Sequence, residues 1–380
     1  MKNRVSEALQ KHRLCKLCSE RQAAEAQGFE LVPGVECSVC SGLMERTVEM
    51  GGLAVKRMRP YDFRTFAVGV SLPEGVQERE DELRSELRLK GRETIKTQAA
   101  RLVASVVSRS TRKRLDRKNP DVTVLANFEA GEAVVTSKPV FYHARYAKPA
   151  GIAQRRSFCE QCRGRGCEEC GGTGYERKPS VEEALRKKLS ALSGSAKMVF
   201  TWLGSEDRES RVFAPGRPFV VEIKNPKKRR LQRKFAVRLR KGTLSVTGGR
   251  VLPSKPVRLP SFRFVTEISA EAASKVDPKS VRELRAAFRR TPVTFQRPNN
   301  RPTTKMVYSV SASARGKALL IRAELDGGLP VKRFVSGELV SPSVSEVLKT
   351  EVSCRSFDIC GVREIGEFGF AEIARSEEKN

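Results

Sequence analysis

The chain is poor in the residues on which much enzyme chemistry depends. Its 380 residues include two histidines, His12 and His143, one tryptophan and five tyrosines. Neither histidine has an evident partner in sequence, so catalytic triads built on an imidazole base are all but excluded. No phosphate-binding loop ending in Gly-Lys-Ser/Thr is present, and no dinucleotide glycine fingerprint follows a strand, which argues against nucleotide-driven and hydride-transfer chemistry. Apolar runs fall short of the ~20 residues that a membrane helix requires. The opening Met-Lys-Asn-Arg leads into polar sequence rather than a secretory core, and a cytoplasmic protein without membrane attachment is the expectation. Negative charge is also scarce: 44 Asp+Glu stand against 73 Lys+Arg, a formal net charge of +29.

That excess creates a large positive field, which fits a polyanionic partner, nucleic acid first among them. The alternative is a solvated basic surface with no partner. Hydrophobic residues make up 39% of the chain, enough for packed cores, and the length predicts two to four domains.

Ten cysteines supply a second constraint. Cys15-x-x-Cys18 and Cys37-x-x-Cys40 are two knuckles 18 residues apart, and Cys159-x-x-Cys162 and Cys167-x-x-Cys170 are two more, four residues apart. A short turn sets two thiolates about one tetrahedron edge apart, and two such turns close a four-thiolate shell. The first set has zinc-ribbon spacing, with Gly34 and Gly42 flanking its second knuckle. The second set is glycine-rich and tighter; an iron–sulfur cluster, a redox dithiol and a metal-free remnant compete there with structural zinc. Cys354 and Cys360 read as packed thiols.

Along the chain, residues 1–60 hold the first knuckle pair with short helical stretches. Residues 61–155 read as mixed α/β. Strand-like alternation runs over Arg64–Val70, and Ile95, Ala99, Leu102, Val103, Val106 and Val107 recur at helical spacing as the core face of a helix. Asp121–Ala126, Ala133–Thr136 and Pro139–Tyr142 read as strands. Residues 156–178 form the second cysteine cluster and a linker. Ser180 and Glu183 predict a capping box that opens a helix and the final domain, 179–380. There, strands are expected at Met198–Leu203, Phe219–Ile223, Phe262–Ile268, Met306–Ala312 and Ala318–Leu325, with a helix at Ser280–Phe288. The basic run Lys227-Lys228-Arg229-Arg230 reads equally as a solvated turn or a phosphate contact.

The most structured candidate for chemistry is the loop between two apolar strands, Gly204-Ser205-Glu206-Asp207-Arg208-Glu209-Ser210-Arg211, followed by Gly216-Arg217-Pro218-Phe219. Taken alone it reads as a surface turn with ion pairs. In a positive field, however, a loop carboxylate is held ionised and able to act as nucleophile or base towards a bound polyanion.

At this loop the chain resembles the archaeal tRNA pseudouridine-54/55 synthases, the tenth of the Pus families, nearly end to end. The loop is similar to the family's Gly-x-Glu-Asp…Gly-x-Gly-Arg-Pro-Phe motif, which implies that Asp207 is catalytic and that Arg217 contacts substrate. Gly328-Leu329-Pro330-Val331-Lys332-Arg333-Phe334-Val335-Ser336-Gly337 looks like Gly-Thr-Tyr-Ile-Lys-Glu-Phe-Val-His-Gly, which implies that Lys332 pairs with the aspartate in a buried ion pair. Phe357-Asp358-Ile359 looks like the Leu-Asp-Val segment that forms an apolar pocket wall. Cys15, Cys18, Cys37 and Cys40 look like the N-terminal zinc module, and Cys159, Cys162, Cys167 and Cys170 recur in archaeal members. Glu78-Arg79-Glu80-Asp81 looks like part of the THUMP-containing RNA-binding domain, and so does Ala144-Arg145-Tyr146-Ala147-Lys148 with Gly151-Ile152-Ala153-Gln154. Where the family has an active-site tyrosine, this chain has Phe262; Tyr308 fits a later strand.

The resemblance therefore implies an α+β multidomain protein. A zinc module and a THUMP-like α/β domain would precede a mixed α/β pseudouridine synthase domain built on an antiparallel sheet. It further implies that the chain isomerises uridine 54, 55 or both in the T-loop of tRNA. A flipped base would stack on Phe262, structural Zn2+ would be bound, no organic or nucleotide cofactor would be needed, and the protein would be a monomer. Asp207 would act near C1′, as nucleophile or as the base removing a sugar proton. The competing reading is a non-catalytic zinc-containing tRNA/RNA-binding protein. A chaperone-like zinc domain, or a THUMP protein of thiouridine synthase or methyltransferase type, fits less well.

Overall fold

The computed structural model describes residues 11–22, 36–90, 93–297 and 301–370. The chain forms two compact units: one of residues 1–139 with 225–229, the other of residues 140–224 with 230–380. No helix among the described residues is long and apolar enough to cross a membrane.

Among the described residues the first unit comprises α1 (Lys16–Gln22), α2 (Thr47–Met58), β1 (Thr65–Ser71), α3 (Val76–Glu86), α4 (Ile95–Thr111), β2 (Arg114–Leu115), β3 (Val122–Asn127) and β4 (Glu132–Ser137). Its sheet has the order β2-β1-β3-β4, parallel except between β3 and β4. β3 and β4 alternate buried and exposed residues, as a sheet with one covered face requires. The predicted stripe on α4 is buried at Ile95, Ala99, Val103 and Val107, and Thr94 caps the helix by accepting the Thr97 N–H. The expected flanking role of Gly34 lies outside the described residues.

Arg21 on α1 is fully buried, and its charge is met 2.5 Å away by Glu80 of α3. Gln98 accepts a second guanidinium bond, and the other Glu80 oxygen accepts the Ile95 N–H. One acid thus ties three helices together. The basic run lies in this unit as far as Arg229, which donates to Ser137 Oγ at 3.0 Å and to the Lys138 carbonyl at 2.7 Å. Asn225 accepts the Ser137 N–H, and the Lys227 carbonyl accepts the Asp62 N–H. Arg229 is therefore a structural latch.

The second unit comprises β5 (Val140–Lys148), α5 (Val181–Ser193), β6 (Met198–Trp202), β7 (Val212–Ile223), β8 (Phe235–Leu239), β9 (Gly242–Leu252), β10 (Pro256–Arg258), β11 (Ser261–Ala272), α6 (Pro278–Ala287), β12 (Thr291–Gln296), β13 (Pro302–Arg315), β14 (Ala318–Asp326), α7 (Val331–Ser336), β15 (Val340–Ser341), α8 (Val344–Leu348), β16 (Val352–Ile365) and β17 (Gly369–Phe370). An eleven-stranded sheet runs β15-β12-β13-β14-β11-β16-β7-β5-β9-β8, with β6 paired to β7, and β10 and β17 form a separate ribbon. Pairing is antiparallel except for β16 against β7, where Ile359 faces Val212. The helix expected at Ser280–Phe288 is α6, 10 residues long, with Leu284 buried and Asp277 as its cap.

Three expectations are corrected. The first α/β region was expected to run to residue 155, but β5 pairs with β7 and β9, so residues 140–155 belong to the second unit. With them go Tyr146, Lys148 and Gln154, expected in the RNA-binding domain. Ser180 does cap α5, but Glu183 pairs with Arg156 at 3.6 Å and Lys187 at 3.5 Å, and the complete capping box is at Ser343 and Glu346. Two short helices, α7 and α8, stand beside the one helix expected among the strands of this domain.

Removing Glu80 leaves the buried Arg21 guanidinium without its carboxylate, with only the Cys18 sulfur, 3.4 Å away, as an anionic partner among the described residues. Glu80→Ala is expected to destabilise the first unit by about 3–5 kcal/mol. Urea unfolding followed by far-ultraviolet circular dichroism measures this, and an Arg21→Met/Glu80→Leu double variant recovers much of the loss.

Candidate active site

The loop joining β6 to β7 carries two consecutive carboxylates with opposite surroundings. The Glu206 side chain is completely buried, while that of Asp207 is 42% exposed. Burial pushes the Glu206 carboxyl above its ordinary range, and its neighbours answer that cost. Arg217 Nε lies 3.3 Å from one carboxylate oxygen, and Tyr146 donates to the other at 2.6 Å. Gln154 Nε2 lies 2.8 Å from the Tyr146 hydroxyl, and 3.2 Å from both Glu206 and the Gly204 carbonyl. Arg217 also donates to the Ser205 carbonyl at 2.7 Å and the Leu203 carbonyl at 3.1 Å. Lys148, lowered from its ordinary value by burial, points its ammonium at the carbonyls of Asp207, Arg208 and Ser210, at 3.3, 3.2 and 2.5 Å.

These residues place the loop backbone, and the loop backbone turns Asp207 outward. Arg217 is only 2% exposed and its guanidinium is committed to the loop. The expected substrate contact is therefore replaced by a positioning role. The sequence pattern shows an arginine in a motif; it does not show that a carboxylate eleven residues earlier folds back onto it.

Across the site, α7 brings Lys332 Nζ to 2.5 Å from Asp207 Oδ2. The pair is not buried, as expected from sequence, but open: Lys332 is 56% exposed. The hydrogen bond to Asp207 holds the Lys332 ammonium above its ordinary value. Cys354 feels both charges, and burial pushes its thiol up to about 11, so it stays neutral beside them. Sequence reading treated Cys354 as a packed thiol and had no signal that β16 would bring it here.

Phe262, on β11, is wedged between the two loops. A Cβ on Gly204 would stand 2.8 Å from its ring and 1.9 Å from Arg217 Nη2, and a Cβ on Gly327 would stand 2.4 Å from the ring. Gly204 also has φ +90°, which only glycine adopts readily. Gly327 donates its N–H to the Phe262 carbonyl at 2.7 Å. The Arg217 guanidinium carbon lies 5.8 Å from the ring centre. Tyr308 sits on β13 with its hydroxyl committed to Asp326 at 2.9 Å and Arg263 stacked 3.5 Å over its ring. Phe357 is 7% exposed, paired in register with Ile268, and packs in the core. Its neighbour Asp358 accepts the Arg211 N–H at 2.7 Å, and Ile359 donates to the Arg211 carbonyl at 2.9 Å, pinning the far end of the loop to β16.

Each cysteine set draws its four sulfurs within 4.8 Å of one another. A tetrahedral metal with bonds of about 2.3 Å to sulfur has edges of about 3.8 Å. Cys15–Cys40 is 3.7 Å, Cys159–Cys167 and Cys162–Cys170 are 3.8 Å, and Cys167–Cys170 is 3.7 Å. Backbone N–H groups of Gly166, Cys167 and Gly174 point at sulfurs of the second set at 3.2 Å, as suits thiolates. Both sets could hold a metal ion.

Residues 52–127 match the family described as Pus10 THUMP domain, archaeal, and residues 141–251 match Pus10, C-terminal. The tRNA pseudouridine synthase Pus10 of Cenarchaeum symbiosum (strain A) is 32% identical over 325 residues, spanning 85% of this chain and 80% of that protein. The protein of the same name from Nitrosopumilus maritimus (strain SCM1) is 28% identical over 323 residues, spanning 85% and 84%. That of Methanocaldococcus jannaschii is 28% identical over 346 residues, spanning 86% and 75%. A THUMP domain followed in the chain by a mixed α/β Pus10 C-terminal domain defines the class, a pseudouridine synthase, which is an isomerase. Within it, the chain belongs to the tRNA pseudouridine synthase Pus10 family.

The Lys332 shift has a definite sign. A lysine raised in the folded state contributes stability in full below the unfolded value of about 10.4, and loses it as pH rises through the folded value. Exposure limits that contribution to at most about 1 kcal/mol. The melting-temperature gap between the natural protein and Lys332→Met is expected to stay constant from about pH 7 to about pH 10 and to close only above that range. A thermal-shift series across pH measures it.

Proposed function

We propose that the chain isomerises uridine to pseudouridine at position 54, 55 or both in the T-loop of tRNA, with Asp207 as the catalytic carboxylate. The observation that carries this is the pairing of an outward-facing Asp207 with Lys332 at 2.5 Å, on a loop otherwise locked from beneath. The reaction breaks the N1–C1′ bond, turns the uracil and rejoins it through C5, so no cofactor or energy source is required. What it needs is a carboxylate at C1′ that is ionised and fixed in direction. The Lys332 ammonium hydrogen-bonds one oxygen and fixes the direction of the carboxylate, leaving the other oxygen for the sugar.

The target base must leave its stack to reach Asp207. Phe262 supplies an apolar aromatic surface next to the loop but no hydroxyl, so it contributes stacking and shape alone. Phe357, six residues away from Phe262 along the β11 register, is assigned the role of an apolar wall on the core side of the site. The THUMP-containing unit and the net charge of +29 serve the tRNA body through phosphate and shape contacts. The two four-thiolate sites hold zinc, which a closed shell of protein ligands suits as a structural ion. The protein acts as a cytoplasmic monomer on the T-arm.

Incubation with an unmodified tRNA transcript, followed by pseudouridine mapping, is expected to show product at 54 or 55. Asp207→Ala is expected to lower the rate by at least about 10^3-fold while tRNA affinity stays within a few fold. Full activity in Asp207→Ala would sink the assignment, and tight binding without any product from the natural protein would favour the non-catalytic RNA-binding reading. Elemental analysis is expected to find two zinc ions per chain, falling to one in Cys162→Ser; a single ion in the natural protein would mean that the second set is empty.

A further inference from the structure

The second unit carries a basic groove that is separate from the Asp207 loop. It has a volume of about 1130 Å³ and is walled by the second cysteine cluster, α5 and β8. Eight basic side chains line it against two carboxylates, Glu176 and Glu183. Part of that charge is internally balanced, since Lys178 pairs with Glu176, and Arg156 and Lys187 pair with Glu183. Arg177, Lys188, Arg238 and Arg240 have no ion pair among the described residues. Arg238 on β8 and Arg240 in the turn just after it are both exposed. An uncompensated row of guanidinium groups in a concave wall is stabilised by an anion that spans several of them.

A second feature narrows the anion. Tyr175 lines the groove with the Arg156 guanidinium carbon 3.7 Å over its ring, and Phe158, outside the groove's lining but next to it, stacks on Tyr175 at 5.2 Å with an interplanar angle of 19°. Phe158 is 63% exposed, although a phenyl ring of that size is usually buried. It also sits one residue before Cys159, so a metal-clamped knuckle would fix its direction. An acidic peptide would satisfy the arginines but has no use for an open aromatic face. A nucleotide chain uses both, phosphates on the cations and an unpaired base on the ring.

We propose that this groove binds a segment of the RNA substrate outside the target nucleotide, with phosphates on Arg238 and Arg240 and an unpaired base stacked on Phe158. This rests on the reading of the chain as a tRNA-modifying enzyme. The groove acts on affinity, and the Asp207–Lys332 pair acts on chemistry.

The test is filter binding of the full chain to an unmodified tRNA transcript over a range of salt, with pseudouridine yield read in the same reactions. Arg238→Ala/Arg240→Ala is expected to weaken binding roughly 10- to 30-fold near physiological salt and to reduce the log–log salt slope by about two. Phe158→Ala is expected to weaken binding about 10-fold with the slope unchanged. Both are expected to raise KM and leave kcat at saturating tRNA within about twofold. Phe158→Trp, which keeps a stacking face, is expected to retain natural affinity, separating lost stacking from a disturbed knuckle. Natural affinity and slope in the arginine variant would overturn the proposal. So would its losing affinity for poly-glutamate while keeping it for tRNA, which would assign the groove to an acidic protein. Failure of the enzymatic reading shows separately, as absence of pseudouridine from the natural protein.

Discussion

A buried carboxylate, Glu206, is the constraint around which the catalytic end of the second unit is arranged. A charge without water has to be met by protein groups. Here they come from three places in the chain: Tyr146 at the end of β5, Gln154 just beyond it, and Arg217 on β7. Meeting that one need brings β5, the segment after it and the β6–β7 loop together. With Lys148 fastening the loop carbonyls, the next residue can point only outward. Asp207 is thus directed by its neighbour's burial. A carboxylate in a free turn would sample many directions; this one is held by bonds made to other residues.

Phe262 extends the same logic to the opposite side. The loop bearing Asp207 and the loop leading to Lys332 each press a glycine against the same ring. The separation of the acid and its basic partner is therefore set through a single side chain that carries no charge. The resulting pair lies open to water, where its Coulombic attraction is weak. Under the proposed function, the RNA itself supplies the cover, so the strength of the pair depends on whether substrate is present.

Much of the fold could be read from periodicity. Thr65–Ser71, Ile95–Thr111, Glu132–Ser137 and Ala318–Asp326 follow apolar spacings that burial alone dictates. The long strand β16 could not, because polar and glycine residues such as Ser353, Arg355, Ser356 and Gly361 break its alternation, and it is held by neighbours on both sides, β11 and β7. Motif resemblance picked out Asp207 and Lys332, which local sequence reads as an ordinary charged turn and an ordinary basic residue. It also singled out Tyr146, Lys148 and Gln154, but as part of the RNA-binding domain. Their purpose lies some 50 to 60 residues further along the chain, and spacing carries no information about which carboxylate a tyrosine will meet. Arg217 shows the converse. An arginine in a motif looks like a ligand for substrate until its guanidinium is found buried, with both terminal nitrogens bonded to loop carbonyls.

Residues 225–229 complete the first unit although 85 residues of the second unit, 140–224, precede them in the chain. Synthesis from the N-terminus therefore delivers the first sheet well before its latch, Arg229, has been made. Until then the end of β4 lacks the partners that Ser137 and Lys138 later acquire. The two units thus cannot mature strictly in turn. The final tightening of the first waits for the first long hairpin of the second to emerge, and a fragment cut at residue 139 would be a sheet with its last strand left unfastened.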